Sequence, residues 1–364
     1  MPHSSRRNFA TRLCAWHRRH GRHHLPWQGT RDPYRIWLSE IMLQQTQVAT
    51  VIPYYERFLE RFPDIAALAA ADQDDVMPYW AGLGYYARAR NLHRCAQVIV
   101  NEHGGRFPPS SAQIAALPGI GRSTAAAIAA FSHGERAPIM DGNVKRVFTR
   151  YFGVHGYPGT RAVEQRLWSL AERMLEDAPA DLDMAAYTQG QMDLGSLVCT
   201  RRNPLCDACP LEADCEARRL GLQHMLPEPR PRRAVPERQC AMLLLHDSEH
   251  VLLELQPEPG IWGGLWSLPR YDSAQELVDA CQAQGFTAEP QGRMAAFVHV
   301  FSHFRLRIEP WRVSVPQRLS EERPGQRWTP FHALPDAAVP APVRKLLDAL
   351  PEALAQAEEQ TGND

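Results

Sequence analysis

The run Cys199-Thr200-Arg201-Arg202-Asn203-Pro204-Leu205-Cys206-Asp207-Ala208-Cys209-Pro210-Leu211-Glu212-Ala213-Asp214-Cys215 sets four cysteines within seventeen residues, at the spacing C-x6-C-x2-C-x5-C. Four thiolates in one short loop can close a tetrahedral S4 cage, which suits either a [4Fe–4S] cluster or structural zinc. Zinc sites usually pair two close cysteine knuckles across a longer gap, and this run does not. Nor is it the ferredoxin pattern. The loop contains no stretch able to form a packed core, so the ligands themselves must order it. Cys14, Cys95, Cys240 and Cys281 are scattered singly, as in a reducing cytosol rather than in a disulfide framework.

Upstream of the loop the pattern is helical. Asp32-Pro33 opens a helix carrying Ile36, Trp37, Ile41 and Met42. Thr46 is the expected cap of a second helix running to Leu59, and Asp64 of a third. Further helices are expected over 91–100, 120–132, 143–152, 161–176 and 184–198. Downstream the texture changes. Residues 226–237 read as an extended linker, because LPEPRPRRAVP at 226–236 holds four prolines and three arginines. Apolar runs at 239–246 and 251–256 flank a hairpin signal, 273–284 and 341–356 read as helices, and 295–315 as a strand pair. The expected organisation is therefore a mainly α N-terminal domain over 1–225 and an α+β domain over 238–364.

The formal charge of −1 conceals an asymmetry. Residues 1–226 carry 26 Lys+Arg against 22 Asp+Glu, while residues 227–364 carry 14 against 19. The first 24 residues hold six arginines, five histidines and no acid, which is either a solvated face or a phosphate-contacting arm. No apolar run approaches the length of a membrane span, and the N-terminus lacks the apolar stretch of a secretory signal. The expected location is cytoplasmic, at the nucleoid in a bacterium.

Three motifs carry possible chemistry. Leu117-Pro118-Gly119-Ile120-Gly121 leads into an Ala-rich helix with Ser123 in its first turn. It is either an ordinary helix–helix turn or a hairpin, within about 113–132, whose backbone N–H groups grip a phosphate. Asp141 precedes Gly142-Asn143-Val144-Lys145 and is either an N-cap alone or a cap that also stabilises an oxocarbenium-like sugar. Glu40 sits amid apolar residues in Trp37-Leu38-Ser39-Glu40-Ile41-Met42. It is either a surface position or an acid kept protonated by desolvation.

SEIMLQQTQV, WAGLGYYARARNL, LPGIGRSTAAAI, DGNVKRV, QMDLGSLVC and the cysteine run, in this order over residues 25–215, resemble the adenine DNA glycosylases of the MutY family, within the helix-hairpin-helix superfamily. The resemblance implies an enzyme of base excision repair that flips adenine out of double-stranded DNA, opposite 8-oxoguanine or guanine, and hydrolyses its N-glycosidic bond. It implies Glu40, Asp141 and Asn143 as the catalytic group, and Trp27, Gln28 and Gln189 as the adenine pocket. Gln45, Thr46, Leu83 and Tyr85 would meet the lesion strand. Gly119, Gly121, Ser123 and Lys145 would contact DNA. Cys199, Cys206, Cys209 and Cys215 would hold a [4Fe–4S] cluster, in a protein acting as a monomer. Related glycosylase/lyases carry a nucleophilic lysine at the place of Ser123 and lack the acid at Glu40. A serine cannot form a Schiff base, so the pair implies a monofunctional enzyme. A non-catalytic DNA-binding module with a structural metal is the remaining alternative.

The second domain resembles a Nudix fold through Gly263-Gly264-Leu265-Trp266-Ser267-Leu268-Pro269, but residues 270–285 lack the acidic cluster that would hold magnesium. A hydrolase role there is disfavoured. The resemblance implies instead that Phe301-Ser302-His303 reads 8-oxoguanine, with Ser302 accepting from its N7–H and His303 on a phosphate or base. The bland reading is a strand with two polar positions facing solvent.

Overall fold

In the computed structural model the described residues are 3–231, 235–286, 292–301, 303–316 and 323–350. The chain divides into two compact units, 1–71 with 90–232 and 72–89 with 233–364. The helices up to the linker are α1 (His3–His20), α2 (Pro33–Met42), α3 (Val48–Arg61), α4 (Ile65–Ala70), α5 (Gln73–Trp80), α6 (Ala87–His103), α7 (Ser111–Ile114) and α8 (Arg122–His133). They are followed by α9 (Gly142–Tyr151), α10 (Arg161–Glu176), α11 (Met184–Asp193) and α12 (Glu216–Arg219).

Local chemistry sets most of these boundaries. Asp32 accepts the Tyr34 N–H at 2.9 Å with Pro33 in the first turn of α2, and Asp64 accepts the Ala67 N–H at 2.8 Å to start α4. The expected Thr46 cap is not made. α3 begins at Val48 with Gln47 in the cap position, and the Thr46 hydroxyl donates instead to the Gln44 carbonyl at 3.3 Å. α11 continues as a π-helical turn over Leu194–Val198, which delivers the chain to Cys199.

The core beneath the site comes from α1, α9, α10 and α11. Phe9 sets its ring against those of Phe148, Tyr151 and Tyr187 at centroid distances of 5.8, 5.0 and 6.4 Å, and Leu13, Val147 and Leu167 are buried beside them. Aromatic pairs at such distances add to area burial. This packing sets the C-terminal half of α9 against α1 and α11. Among the described residues, no helix is long and apolar enough to cross a membrane.

The second unit is a mixed sheet of β1 (Glu237–His246), β2 (His250–Leu255), β3 (Trp266–Ser267), β4 (Arg270–Tyr271), β5 (Phe297–Val300), β6 (Arg305–Ser314) and β7 (Gln326–Pro330). The order is β3-β2-β1-β6-β5, with β4 also on β1 and β7 on β2. β1 and β6 run parallel, from Glu237 opposite Arg305 to His246 opposite Ser314, and the other pairs are antiparallel. Ala241, Leu243 and Leu245 alternate on one face of β1 and pack with Leu277 and Cys281 of α13 (Ala274–Ala283). The chain also forms α14 (Ala341–Asp348). β3, β4 and β7 were not expected from the sequence, being too short or too weakly alternating to register. Segment 72–89, with α5, groups with this unit.

Because α4 spans only Ile65–Ala70, its start depends on one side chain. Asp64→Ala should cost about 1 kcal/mol of stability, read as a lower urea midpoint with an unchanged m-value. An unchanged midpoint would show that Asp64 does not hold the helix.

Candidate active site

α2 buries Ile36, Trp37, Leu38, Ile41 and Met42, and this packing orients Glu40. Two cavities meet at that side chain. The first, of about 540 Å³, is lined by Thr46, Ser123, Asp141 and Asn143. The second, of about 520 Å³, is lined by Gln28, Arg31, Ser39 and Phe131. Glu40, Arg22, Trp27 and Gln189 line both. Glu40 is part-buried where it lines them. Among the described residues no hydrogen bond to its carboxyl is found. Burial, and secondarily the charge of Asp141, push its pKa up to about 8.

Asp141 caps α9, accepting the Val144 N–H at 2.7 Å, and the Asn143 amide donates to it at 3.3 Å. Burial holds the Asp141 carboxyl above the usual carboxylate range, although these donors and the Arg146 guanidinium offset part of that rise. Of the two acids, Glu40 has no hydrogen-bond donor among the described residues, whereas Asp141 has the donors that suit a carboxylate. Arg146 then ties Asn143 to the segment before the cysteines. It donates to Asn143 Oδ1 at 2.9 Å, to the Gly195 carbonyl at 2.5 Å and to the Cys199 carbonyl at 2.7 Å. Gly195 has room for no side chain here: a Cβ would lie 2.6 Å from Asn143 Cβ.

The hairpin turns on Gly119, whose φ of 74° and position against Asn91 both require glycine. Gly121 is the N-cap residue of α8 and makes no side-chain cap. The Ser123 hydroxyl accepts the Met140 N–H at 2.8 Å. Lys145 lines neither cavity at Glu40. It pairs with Glu164 at 2.5 Å and faces a separate cleft with Arg201 and Arg202. Gln45 is exposed at φ 59°, a left-handed backbone unusual outside glycine.

Leu83, Tyr85 and His303 belong to the second unit. Leu83 is buried, and Tyr85 is half exposed at φ 50°. His303 is exposed, with its ring 4.8 Å from that of Phe304, which stacks on Phe301 at 4.4 Å. Ser302 lies outside the described residues. In α13, Glu276 accepts the Asp272 N–H, and among the described residues no three His, Cys, Asp or Glu side chains converge on one metal-sized point.

The four loop cysteines are free and surround one small cavity of about 30 Å³. Arg150, 2% exposed, holds the loop from inside. It donates to Cys199 Sγ at 3.3 Å and to the carbonyls of Thr200, Arg201 and Leu226 at 2.7, 3.0 and 2.7 Å. Four soft donors with a buried cation beside them fit an anionic thiolate cluster. Sequence reasoning missed Arg22 and Arg146. Arg22 lies in a basic run, and Arg146 lies inside the DGNVKRV motif, beside more conspicuous residues.

The family model for HhH-GPD superfamily base excision DNA repair proteins matches residues 38–173, the iron-sulfur binding domain of endonuclease III matches 199–215, and a NUDIX domain matches 240–349. The adenine DNA glycosylase of Buchnera aphidicola (from Schizaphis graminum) is 34% identical over 343 residues, covering 93% of this chain and 98% of that protein. The human adenine DNA glycosylase is 30% identical, over 93% of this chain and 73% of its own length. The chain belongs to the adenine DNA glycosylase family. It is accordingly a hydrolase acting on N-glycosyl bonds, and the cysteine loop is its [4Fe–4S] element. A thermostable thymine-DNA glycosylase superposes with a TM-score of 0.54 at 29% identity, over 60% of this chain and 98% of that one. An endonuclease III–DNA complex gives 0.52 at 18% identity, over 61% and 99%, a likeness of fold alone.

Gly195→Ala should force Asn143 and Arg146 apart. The expected cost is about 1–3 kcal/mol of stability together with a slower base-release rate, from urea denaturation and single-turnover kinetics on one preparation. A wild-type midpoint and rate would show that the contact yields freely.

Proposed function

We propose that this chain releases adenine from double-stranded DNA by hydrolysis, acting on adenine mispaired with 8-oxoguanine or guanine after the base is flipped from the helix. The observation carrying the reading is the carboxyl of Glu40, its pKa pushed up to about 8 where two cavities meet, one of them also lined by Asp141 with its hydrogen-bond donors. The flipped purine enters the cavity with Trp27, Gln28 and Gln189, while its sugar remains beside Asp141. A proton passes from Glu40 to the purine ring. The C1′–N9 bond then breaks, with its electron pair leaving on the base. The Asp141 carboxylate stabilises the cationic sugar, Asn143 holds that carboxylate, and water adds to C1′ with loss of a proton back toward Glu40. Cys199, Cys206, Cys209 and Cys215 would hold the [4Fe–4S] cluster through their thiolates, a set of iron–sulfur bonds that would order residues 199–215.

No lysine lines either cavity among the described residues, which supports simple hydrolysis over a Schiff-base lyase. Gly119, Gly121 and Ser123 at the start of α8 suit a phosphate, and Lys145 suits the cleft beside the cysteine loop. The left-handed backbone at Gln45 and Tyr85 supports a role at the distorted base pair, since such strain persists where function maintains it. With Thr46 and Leu83 these residues meet the lesion strand, and Ser302 and His303 distinguish 8-oxoguanine from guanine. The enzyme acts as a monomer.

The experiment is single-turnover release of adenine from an A·8-oxoguanine duplex. Glu40 acts in its protonated form, so the rate should be sustained at neutral pH and fall as pH rises through about 8. Glu40→Gln should lower the rate by about 10²–10⁴-fold with duplex binding preserved; near wild-type release by this variant removes Glu40 from the chemistry. Ser302→Ala should cut the preference for 8-oxoguanine over guanine by about 1 kcal/mol, several-fold, with activity on A·G retained. Equal preference ratios would mean that lesion reading lies elsewhere.

A further inference from the structure

Asp193, the last residue of α11, is fully buried and carries an unusual share of donors. Its Oδ2 accepts the Arg22 backbone N–H at 2.8 Å, and its Oδ1 accepts Arg22 Nε at 2.8 Å and Nη2 at 2.6 Å. The Gln189 amide donates to Oδ1 at 3.0 Å, and His17 Nε2 lies 3.5 Å from Oδ2. Arg22 in turn accepts the Gln28 amide on its carbonyl at 2.9 Å. One carboxylate, touching no cavity itself, thus holds three polar residues that line the cavity behind Glu40.

The charge balance matters as much as the geometry. Glu40 shares its cavities with Arg22, with Asp141 from α9, with His17 and Arg18 from α1, and with His23, Arg31 and Asp183. Of these cations, Arg22 alone lines both cavities. Arg22 shares both cavity walls with Glu40, so a guanidinium released from Asp193 into that space would favour ionisation of the acid. Paired with Asp193, it cannot. Burial alone would raise the Asp193 carboxyl, yet the His17 and Arg22 donors outweigh it and hold the group below the usual carboxylate range.

We propose that Asp193 is a positioning residue: it fixes Arg22 and Gln189 in the cavity wall and cancels the arginine's charge, so that Glu40 keeps its proton. This rests on the reading of Glu40 as the acid, and the test separates the two. The cluster-loaded full-length protein, labelled with ¹³C at glutamate side chains, is titrated by NMR, with Glu40→Gln assigning the resonance. Asp193→Asn should lower the Glu40 titration midpoint by about one unit or more. Arg22→Met, a change at a partly exposed side chain that spares Asp193, should raise it. The double variant should return near the wild-type midpoint. Single-turnover rates in the same series should follow, with the alkaline limb of the Asp193→Asn profile moved to lower pH. A Glu40 midpoint unmoved in Asp193→Asn and Arg22→Met, or a double variant still shifted, overturns the proposal. Midpoints that move as expected while rates ignore them leave Asp193 as assigned and refute Glu40 as the acid.

Discussion

A carboxylic acid keeps its proton at neutral pH only where water is scarce and cations are neutralised, and the helical unit is organised around that requirement at Glu40. The apolar face of α2 strips solvent from it, and Asp141 adds repulsion. The guanidinium that lines both cavities, Arg22, is bound to Asp193, while Arg146, whose charge acts on Asp141, is bound to Asn143 and two backbone carbonyls. Were Arg22 released into the cavities it shares with Glu40, its charge would favour an ionised glutamate and a poorer acid. On the proposed reading, catalytic capacity is a property of a charge network rather than of one residue.

That network leads physically to the cysteine loop. Asp141 accepts from Asn143, Asn143 from Arg146, and Arg146 also donates to the Cys199 carbonyl. One helical turn further along α9, Arg150 reaches Cys199 Sγ. Two arginines of one helix, four residues apart, therefore hold the cap of that helix and the loop that follows α11 in register. Ordering of residues 199–215 is in this sense part of the foundation of the acid pair.

Much of this was legible in the sequence. The cysteine spacing, the hairpin glycines and the two acids stood out because each breaks its local pattern. A carboxylate on an apolar helix face, or four thiols in a loop without a core, demands a partner. Asp193 broke the same rule within QMDLGSLVC, yet nothing in one dimension shows that its partner is Arg22, far upstream in a basic run that resembles a solvated face. The Thr46 cap failed for a related reason: the chain turns sharply at left-handed Gln45, and the hydroxyl finds a nearer carbonyl. The grouping of 72–89 with the C-terminal unit had no local signature, since it depends on tertiary packing alone.

The parallel pairing of β1 with β6 bears on how the protein is made. Helices form from neighbours in the chain and can settle as they leave the ribosome, and the helical core closes once residues near Tyr187 arrive to meet Phe9. β1 must instead wait for β6, because its parallel partner begins only at Arg305. Until then β1 exposes an apolar strand that lacks this neighbour, the state most open to mispairing during synthesis. On this order of events the hydrolytic half of a new molecule is complete before the half assigned to inspecting the opposite base.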